Sequence, residues 1–382
     1  MRRSVWLVVL LFVFSVLPLR AQAVEMELAG KSALLMDVNT GTVLYESNAH
    51  ERLAPASVTK IMTMLLIMEA VDSGKIGLED MVTASETASA KGGSQIYLKA
   101  GETMSVSDML KSIAVSSAND CACAMAEHLA GSEAAFVSLM NQKAQELGMN
   151  DTNFVNCTGL DDGEGAENHK TSAYDIALMS RELLKNHPSV KNFTTIWMDT
   201  VRNGTFGLSN TNKLVRFYQG ATGLKTGFTS GAGYCLSATA ERDGMELIAV
   251  VMGADTSANR NAACKSLLDY GFANFAVVSP ELTEAEPVQV KLGKAESVSA
   301  ILGENGALLV DKGQKNGITM EMSMEESVTA PVSQGQRIGT LTVKSGEQVL
   351  KEIPLVAETA VERLSAGDLF IKVLKRVAMA KT

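Results

Sequence analysis

The chain has 382 residues, which is long enough for at least two domains. Its 43 acidic and 34 basic side chains give a formal net charge of -9 at pH 7. Because nucleic acids are polyanions, this charge balance argues against a DNA-binding or RNA-binding protein.

The N-terminus predicts export. Met1–Arg3 is basic, Val5–Leu19 is apolar, and Ala21–Ala23 places small residues where a signal peptidase cuts. The apolar run is shorter than the roughly 20 residues that span a bilayer, so a removable leader is favoured over a permanent anchor. We therefore predict a signal peptide over residues 1–23.

The next informative element is Ser57-Val58-Thr59-Lys60, which precedes the apolar run Ile61–Val71. The run is apolar nearly all round, which predicts a buried helix that begins at Ser57 and stops before Gly74. The free amides of a helix N-terminus favour developing negative charge, and Lys60 shares the face of Ser57. In one interpretation Ser57 is a nucleophile and Lys60 is its base. In the other, Ser57 only caps the helix and Lys60 is solvated.

Ser117-Ala118-Asn119 lies between two apolar segments, Met109–Ser116 and Cys121–Leu129. A short polar turn between buried helices can direct a hydroxyl and an amide into a cleft. An ordinary Ser/Asn turn that caps a helix is the alternative.

Lys225-Thr226-Gly227 opens a region of strand character, which continues through Tyr234–Ala238. An Asp-Gly pair at Asp243 and the apolar run Met245–Met252 then predict a β-hairpin. The first strand would supply a cation, a hydrogen bond and close backbone access to a substrate. Its lysine is also the candidate cation that, together with burial, would lower the pKa of Lys60 enough to make it a base.

The three elements have the types and order found in penicillin-recognising serine acyl enzymes. From about Ala33 to the C-terminus, the chain resembles low-molecular-mass penicillin-binding proteins, the serine-type D-alanyl-D-alanine carboxypeptidases. The supporting strings are Leu53–Ser57, Gly159–Asp161, His169–Asp175, Gly223–Thr229 and Ala232–Tyr234.

This resemblance implies catalytic roles for three residues: Ser57 as the acylated nucleophile, Lys60 as its general base and Ser117 as a proton relay to the leaving group. It implies substrate-binding roles for Asn119, Lys225, Thr226, Gly227, Phe228 and Arg260. Within that set, the backbone amides of Ser57 and Phe228 would form the oxyanion hole. Arg260 would bind the terminal carboxylate of the substrate, unless it is a surface arginine in the helix Asn261–Tyr270.

The order of elements predicts an α+β fold. A hairpin over Ala33–Tyr45, a helix-rich stretch to about Lys185, and later strands and a helix fit an antiparallel sheet packed with helices. We assign residues 24–278 to this penicillin-recognising, β-lactamase-like catalytic domain. After Pro280 short alternating segments predict a small all-β domain over residues 279–358, with Lys344-Ser345-Gly346 as a hairpin turn in it.

The tail, residues 359–382, predicts an amphipathic helix. Its apolar face carries Leu369, Phe370, Val373, Leu374 and Val377, and its basic face carries Lys372, Lys375 and Arg376. This pattern favours peripheral attachment to the outer face of the cytoplasmic membrane. Packing on the β domain is the alternative.

The five cysteines cannot all pair within one chain, and their apolar contexts favour small core residues over a disulfide framework. Cys121, Cys123 and His128 raise the question of a zinc site, but positions i, i+2 and i+7 of one helix do not converge on an ion. We therefore expect neither metal nor cofactor.

The resemblance implies removal of the terminal D-alanine from peptidoglycan stem pentapeptides, with β-lactams as covalent inhibitors. A class A β-lactamase is the first rival, because Glu164 and Asn168 have the spacing of its deacylation element; a solvated turn is the simpler interpretation. A catalytically silent cell-wall binding protein is the second rival. Endopeptidase cleavage of cross-links remains open.

Overall fold

The structure is a computed structural model that describes residues 26–163, 165–282 and 285–371. The predicted signal peptide, Glu164 and residues 372–382 of the predicted tail helix lie outside the described residues.

The N-terminal part alternates strands and helices. In chain order these are β1 (Ser32–Asp37), β2 (Val43–Ser47), α1 (Lys60–Asp72), β3 (Met81–Thr83), α2 (Glu86–Ser89), β4 (Thr103–Ser105), α3 (Val106–Ser116), α4 (Asn119–Ala130), α5 (Glu133–Glu146), α6 (Ala173–Asn186), α7 (Lys191–Thr194), β5 (Met198–Val201), β6 (Phe206–Ser209), α8 (Leu214–Phe217), β7 (Ala221–Thr229), β8 (Gly233–Arg242), β9 (Met245–Ala254) and α9 (Ser257–Asn274).

A five-stranded antiparallel sheet in the order β2-β1-β9-β8-β7 organises this part. Alternate residues of β1 enter different cores: Leu34 packs with α1, α3, α4 and α6, whereas Leu35 packs with α9. Because both faces are covered, β9 is apolar almost throughout. The predicted antiparallel sheet packed with helices is confirmed.

The predicted turn between β8 and β9 is also confirmed. Asp243 and Gly244 both have positive φ, 50° and 76°, as a two-residue hairpin of the I′ type requires. The strand β7 forms the edge of this sheet, and within the described residues it pairs with β8 on one side only.

The C-terminal part is built from short strands, as predicted. These are β10 (Phe275–Val278), β11 (Val288–Lys291), β12 (Ser297–Val298), β13 (Ala300–Leu302), β14 (Leu308–Asp311), β15 (Ile318–Met324), β16 (Ser327–Thr329), β17 (Arg337–Ser345) and β18 (Gln348–Ala357). They form sheets β12-β11-β16 and β13-β18-β17-β15, and β10 pairs with β14 directly after α9. Lys344-Ser345-Gly346 lies at the β17–β18 turn and away from β7, as predicted.

Within the described ranges, no helix is both long enough and apolar enough to cross a bilayer. Residues 366–371 are helical, and the side chains of Leu369, Phe370 and Ile371 are exposed there.

Candidate active site

Ser57 and Lys60 lie side by side where the chain enters α1. Ser57 is in a single 3₁₀ turn, Ala56–Thr59, that continues directly into the helix. The Nζ atom of Lys60 donates hydrogen bonds to Ser57 Oγ at 3.0 Å and to the carbonyl oxygen of Thr158 at 2.7 Å. The serine is half-buried and the lysine is fully buried, so the interpretation of Lys60 as a solvated residue is wrong.

Burial lowers the pKa of Lys60 to about 7, although Cys157 and Asp120 oppose the shift. Near neutral pH a substantial fraction of this amine is therefore unprotonated. Burial also lowers the pKa of Lys225 well below its usual value, with repulsion from Lys60 and Arg260 adding to the effect. Burial thus lowers the pKa of Lys60, as predicted, and the repulsion between Lys60 and Lys225 lowers the pKa of Lys225.

Ser117 and Asn119 flank the turn between α3 and α4. Ser117 ends α3 in the left-handed conformation, with φ of 62°. The backbone N–H of Asn119 donates to the carbonyl of Ser94, and its Nδ2 donates to the carbonyl of Gly92, both at 2.7 Å. Within the described structure, Ser117 Oγ and Asn119 Oδ1 are buried without a hydrogen-bond partner. Such atoms are able to bond a ligand that enters the cleft.

The strand β7 passes directly beside the Ser57 turn, and Gly227 makes this approach possible. A Cβ atom there would lie 2.7 Å from the carbonyl oxygen of Pro55 and 3.1 Å from the amide nitrogen of Ser57. Thr226 Oγ1 donates to Thr211 Oγ1 at 2.7 Å. The backbone N–H of Thr211 in turn donates to Val115, two residues before Ser117.

Arg260 is 5% exposed, so the interpretation of a surface arginine is wrong. Its Nε and Nη2 atoms donate to Asn261 Oδ1 at 3.0 and 2.9 Å, and its guanidinium lies 5.8 Å from the ring centre of Tyr234. Among the described residues, no carboxylate forms an ion pair with Arg260 or with Lys225. Phe228 is 54% exposed and stacks on Tyr234 at 4.2 Å.

Two residues that support the site were not assigned a role from the sequence. Thr158 supplies the carbonyl that holds Lys60, and Gly159 adopts φ of +83°. A Cβ atom on Gly159 would lie 1.8 Å from the carbonyl oxygen of Ala56, so glycine is required for this loop to pack on the Ser57 turn. The string Gly159–Asp161 was the only signal of this segment.

His169 joins the same loop to the Ser57 turn. Its Nδ1 atom accepts hydrogen bonds from the backbone of Val155 at 3.1 Å and Asn156 at 3.4 Å, so the proton of the neutral ring sits on Nε2. Nε2 then donates to Thr59 Oγ1 at 2.8 Å, and this hydroxyl donates to the carbonyl of Ala56. His169 is therefore a positioning residue.

We expect His169→Ala to slow acylation of the enzyme and to lower its free energy of unfolding by about 1–3 kcal/mol, since buried partners lose their hydrogen bonds. Burial lowers the pKa of His169 to about 4, against 6.5 for a free histidine. The unfolded chain thus binds the extra proton at pH 5, and stability falls as the pH drops from 7 to 5. Urea unfolding at pH 7 and pH 5 should show a smaller fall in the free energy of unfolding for His169→Ala than for the wild type. An equal fall would contradict the assignment of this pH dependence to His169.

All five cysteines are buried and unpaired, consistent with the predicted core role. Cys121, Cys123 and His128 do not bring three ligand atoms together. In the described part of the chain, the group that does so is Glu69, Glu182 and His187.

The site combines a serine hydrogen-bonded to a buried amine, two polar groups without a partner among the described residues, and an edge strand that carries a lysine. This combination defines a serine acyl-transfer site of the penicillin-recognising class. The family profile described as D-alanyl-D-alanine carboxypeptidase matches residues 19–256, and the profile of the penicillin-binding protein 5 C-terminal domain matches residues 280–363. The chain belongs to the D-alanyl-D-alanine carboxypeptidase family, and the resemblance found in the sequence is confirmed.

Individual relatives agree with this assignment. The chain is 45% identical to the D-alanyl-D-alanine carboxypeptidase DacF of Bacillus subtilis, over 92% of this chain and 90% of that protein. Penicillin-binding protein 5 of Haemophilus influenzae superposes with a TM-score of 0.73 at 30% identity, over 89% of this chain and 99% of that structure. Penicillin-binding protein D2 of Listeria monocytogenes, solved with cefotaxime bound, gives a TM-score of 0.60 at 34% identity, over 65% and 99% of the two chains.

Proposed function

We propose that Ser57, Lys60 and Ser117 carry out the serine-type carboxypeptidase reaction of this family on the terminal D-alanine of peptidoglycan stem pentapeptides. The observation that carries the proposal is the 3.0 Å hydrogen bond from Lys60 Nζ to Ser57 Oγ, made by an amine whose pKa lies at about 7. A general base needs both this distance and a pKa near the working pH.

We infer the course of the reaction from the hydrogen bond between Lys60 and Ser57 and from the roles that the family resemblance implies. Neutral Lys60 accepts the proton of Ser57, and Ser57 Oγ attacks the carbonyl between the two terminal D-alanines. The amides of Ser57 and Phe228 stabilise the oxyanion. Ser117 passes a proton to the departing amine, D-alanine leaves, and water then hydrolyses the ester on Ser57.

The charges of the site favour a substrate that ends in a carboxylate. Lys225 and Arg260 are both buried basic residues, and within the described residues neither forms an ion pair with an acidic residue. An anionic terminus that enters the cleft would relieve their mutual repulsion. We assign the carboxylate to Arg260, Lys225 and Thr226, and the peptide amide groups to Asn119.

The same groups account for inhibition by β-lactams. Penicillin-binding protein D2 of Listeria monocytogenes has been solved in a cefotaxime-bound form and in an ampicillin-bound form. We infer that a β-lactam acylates Ser57 of this chain in the same way, since its ring carbonyl and carboxylate match those of the peptide. Slow deacylation then makes the antibiotic an inhibitor.

The direct test uses the chain without residues 1–23. It is incubated with a stem pentapeptide ending in D-Ala-D-Ala, and released D-alanine is measured; a parallel sample is labelled with fluorescent penicillin. We expect both D-alanine release and a long-lived adduct. Labelling without D-alanine release would indicate a penicillin-binding protein with another activity, and absence of both would refute the proposal.

Glu164 separates the carboxypeptidase from the β-lactamase alternative. We expect Glu164→Gln to change the acyl-enzyme lifetime by less than about 3-fold, because a carboxypeptidase does not use this carboxylate for deacylation; a general base would contribute roughly 10²–10⁴-fold. The measurement is the decay of the fluorescent penicillin adduct. A slowing of 100-fold would favour the β-lactamase.

We also propose that the protein is exported and attaches to the outer face of the cytoplasmic membrane. Residues 1–23 serve as the leader, residues 24–278 as the catalytic domain, residues 279–358 as the β domain and residues 359–382 as the attachment helix. The exposed side chains of Leu369 and Phe370 at the start of this helix support a surface role.

Deleting residues 367–382 should release the protein from anionic liposomes, while turnover of a soluble pentapeptide stays within about 2-fold, since none of the residues assigned to the chemistry lies in this segment. Phe370→Glu combined with Leu374→Glu should have the same effect, because it adds repulsion from anionic lipid. Co-sedimentation with vesicles measures binding. The attachment proposal fails if the shortened chain still co-sediments, or if the full mature chain never does.

A further inference from the structure

A pair of thiols lies beneath the loop that holds Lys60. Cys123 of α4 and Cys157 are both fully buried, and the thiol of Cys157 interacts with that of Cys123 strongly enough to raise the pKa of Cys157. Both also contact the same carboxylate: Glu133 lies 3.9 Å from Cys123 Sγ and 3.2 Å from Cys157 Sγ. Two buried thiols that interact with each other and with one carboxylate are candidates for a disulfide.

The other three cysteines have different surroundings. The thiol of Cys235 contacts the carbonyl oxygens of Ala54 and Ala232, and that of Cys264 contacts those of Leu236 and Ala249. Cys121 bonds to Ser112.

The backbone of Cys157 connects the pair to the active site. Its N–H donates to Glu133 Oε1 at 3.2 Å, and its carbonyl accepts the hydroxyl of Thr63 at 2.7 Å. The next residue is Thr158, whose carbonyl accepts the hydrogen bond from Lys60 Nζ. A shift of Cys157 is therefore transmitted directly to the base.

We propose that Cys123 and Cys157 are a redox-active pair, and that their oxidation to a disulfide slows acylation of Ser57. The oxidant is a disulfide of the glutathione type. One protein thiol attacks it, which forms a mixed disulfide and releases one free thiol; the second protein thiol then displaces the other half as a second free thiol. The two protein hydrogens leave on the two released thiols, and the oxidant is reduced.

The inhibition follows from the change in distance. A disulfide draws the two sulfur atoms to about 2.05 Å, well inside non-bonded contact. Cys157 must move toward α4, and Thr158 moves with it. Misplacement of a catalytic group by about 1 Å can cost as much as 10²-fold in rate, so we expect acylation to fall at least about 10-fold.

The surroundings allow the change to be reversed. Oxidation removes the thiol hydrogens from Glu133, but this carboxylate keeps Lys91 Nζ at 2.6 Å and the backbone N–H of Cys157. Glu133 thus keeps two partners that do not depend on the thiol hydrogens. The interaction with Cys123, together with burial, raises the pKa of Cys157 and makes its thiolate scarce, so oxidation proceeds slowly, through transient opening of the loop.

The experiment uses the mature chain, reduced and then incubated with oxidised glutathione. Peptide mapping by mass spectrometry is expected to find Cys123 joined to Cys157. The rate of labelling by fluorescent penicillin should fall about 10-fold or more and return on reduction. Cys123→Ala, with Cys123→Ser as the second variant if the first is unfolded by circular dichroism, should label at the wild-type rate with or without oxidant. Cys264→Ala, a buried cysteine outside the pair, should behave as the wild type.

Three results would overturn the proposal: no Cys123–Cys157 cross-link, a cross-link with unchanged labelling, or inhibition that persists in both Cys123 variants. The effect on rate rests on the proposed function, whereas the cross-link does not. If the reduced wild type is not labelled at all, the role of Ser57 fails, and the pair is then judged by the cross-link alone.

Discussion

We expect Ser57→Ala to lose D-alanine release and covalent penicillin labelling by about 10⁴-fold or more, the scale seen when a nucleophile is removed from a serine hydrolase. The substitution removes the atom that receives the acyl group, while the largely buried α1 that follows it keeps its packing. Initial rates of D-alanine release and labelling intensity on a gel measure the two losses. Circular dichroism and the thermal midpoint should match the wild type.

Ser138→Ala provides the matched control, because Ser138 is an exposed serine of α5 in the same domain. It should retain both activities. Labelling of the intact Ser57→Ala protein at the wild-type level would exclude Ser57 as the nucleophile and would require a search for another acylated side chain.

The helical part of the site was predictable because its spacing is local. Lys60 lies three positions after Ser57, and one turn of helix places the two on the same face. The apolar run after them indicated burial, and burial is what lowers the pKa of Lys60. A strand pattern interrupted by an Asp-Gly turn likewise predicted β8 and β9.

Contacts between distant segments were not predictable from any period in the sequence. The carbonyl that holds Lys60 belongs to a residue 98 positions later in the chain. The close approach of Gly159 to Ala56 depends on how the loop after α5 folds back, which no local pattern specifies. Identical reasoning applies to Arg260, whose burial depends on the packing of α9 against β8 and β9.

Short strands also escaped prediction. The pairs β3–β4 and β5–β6 have only three or four residues per strand, too few for alternation to be distinguished from a loop. The second pair carries Arg202, which bonds the carbonyls of Ile96 and Tyr97 and the carboxylate of Glu102. This hairpin thus supports the segment beside Asn119, whose N–H donates to Ser94.

The protonation of Lys60 should control the pH dependence of acylation. Only the neutral amine accepts the proton of Ser57, so the second-order acylation rate should rise with pH and reach half its maximum near the pKa of about 7. Below this pH the ammonium form predominates and the rate falls. Stopped-flow labelling with a fluorescent penicillin between pH 5.5 and 8.5 measures this rising limb of the pH–rate profile for the free enzyme.

Lys60→Gln tests whether Lys60 is the group responsible. The glutamine amide keeps a donor for the carbonyl of Thr158, so the loop retains a partner, but the amide is not a base. We expect acylation to fall by about 10²–10⁴-fold and the limb near pH 7 to disappear. Lys265→Gln, at an exposed position of α9, is the matched control and should retain both rate and profile. If Lys60→Gln keeps a limb near pH 7, the titrating base is another group, and the 3.0 Å hydrogen bond from Lys60 to Ser57 then serves only to position the nucleophile.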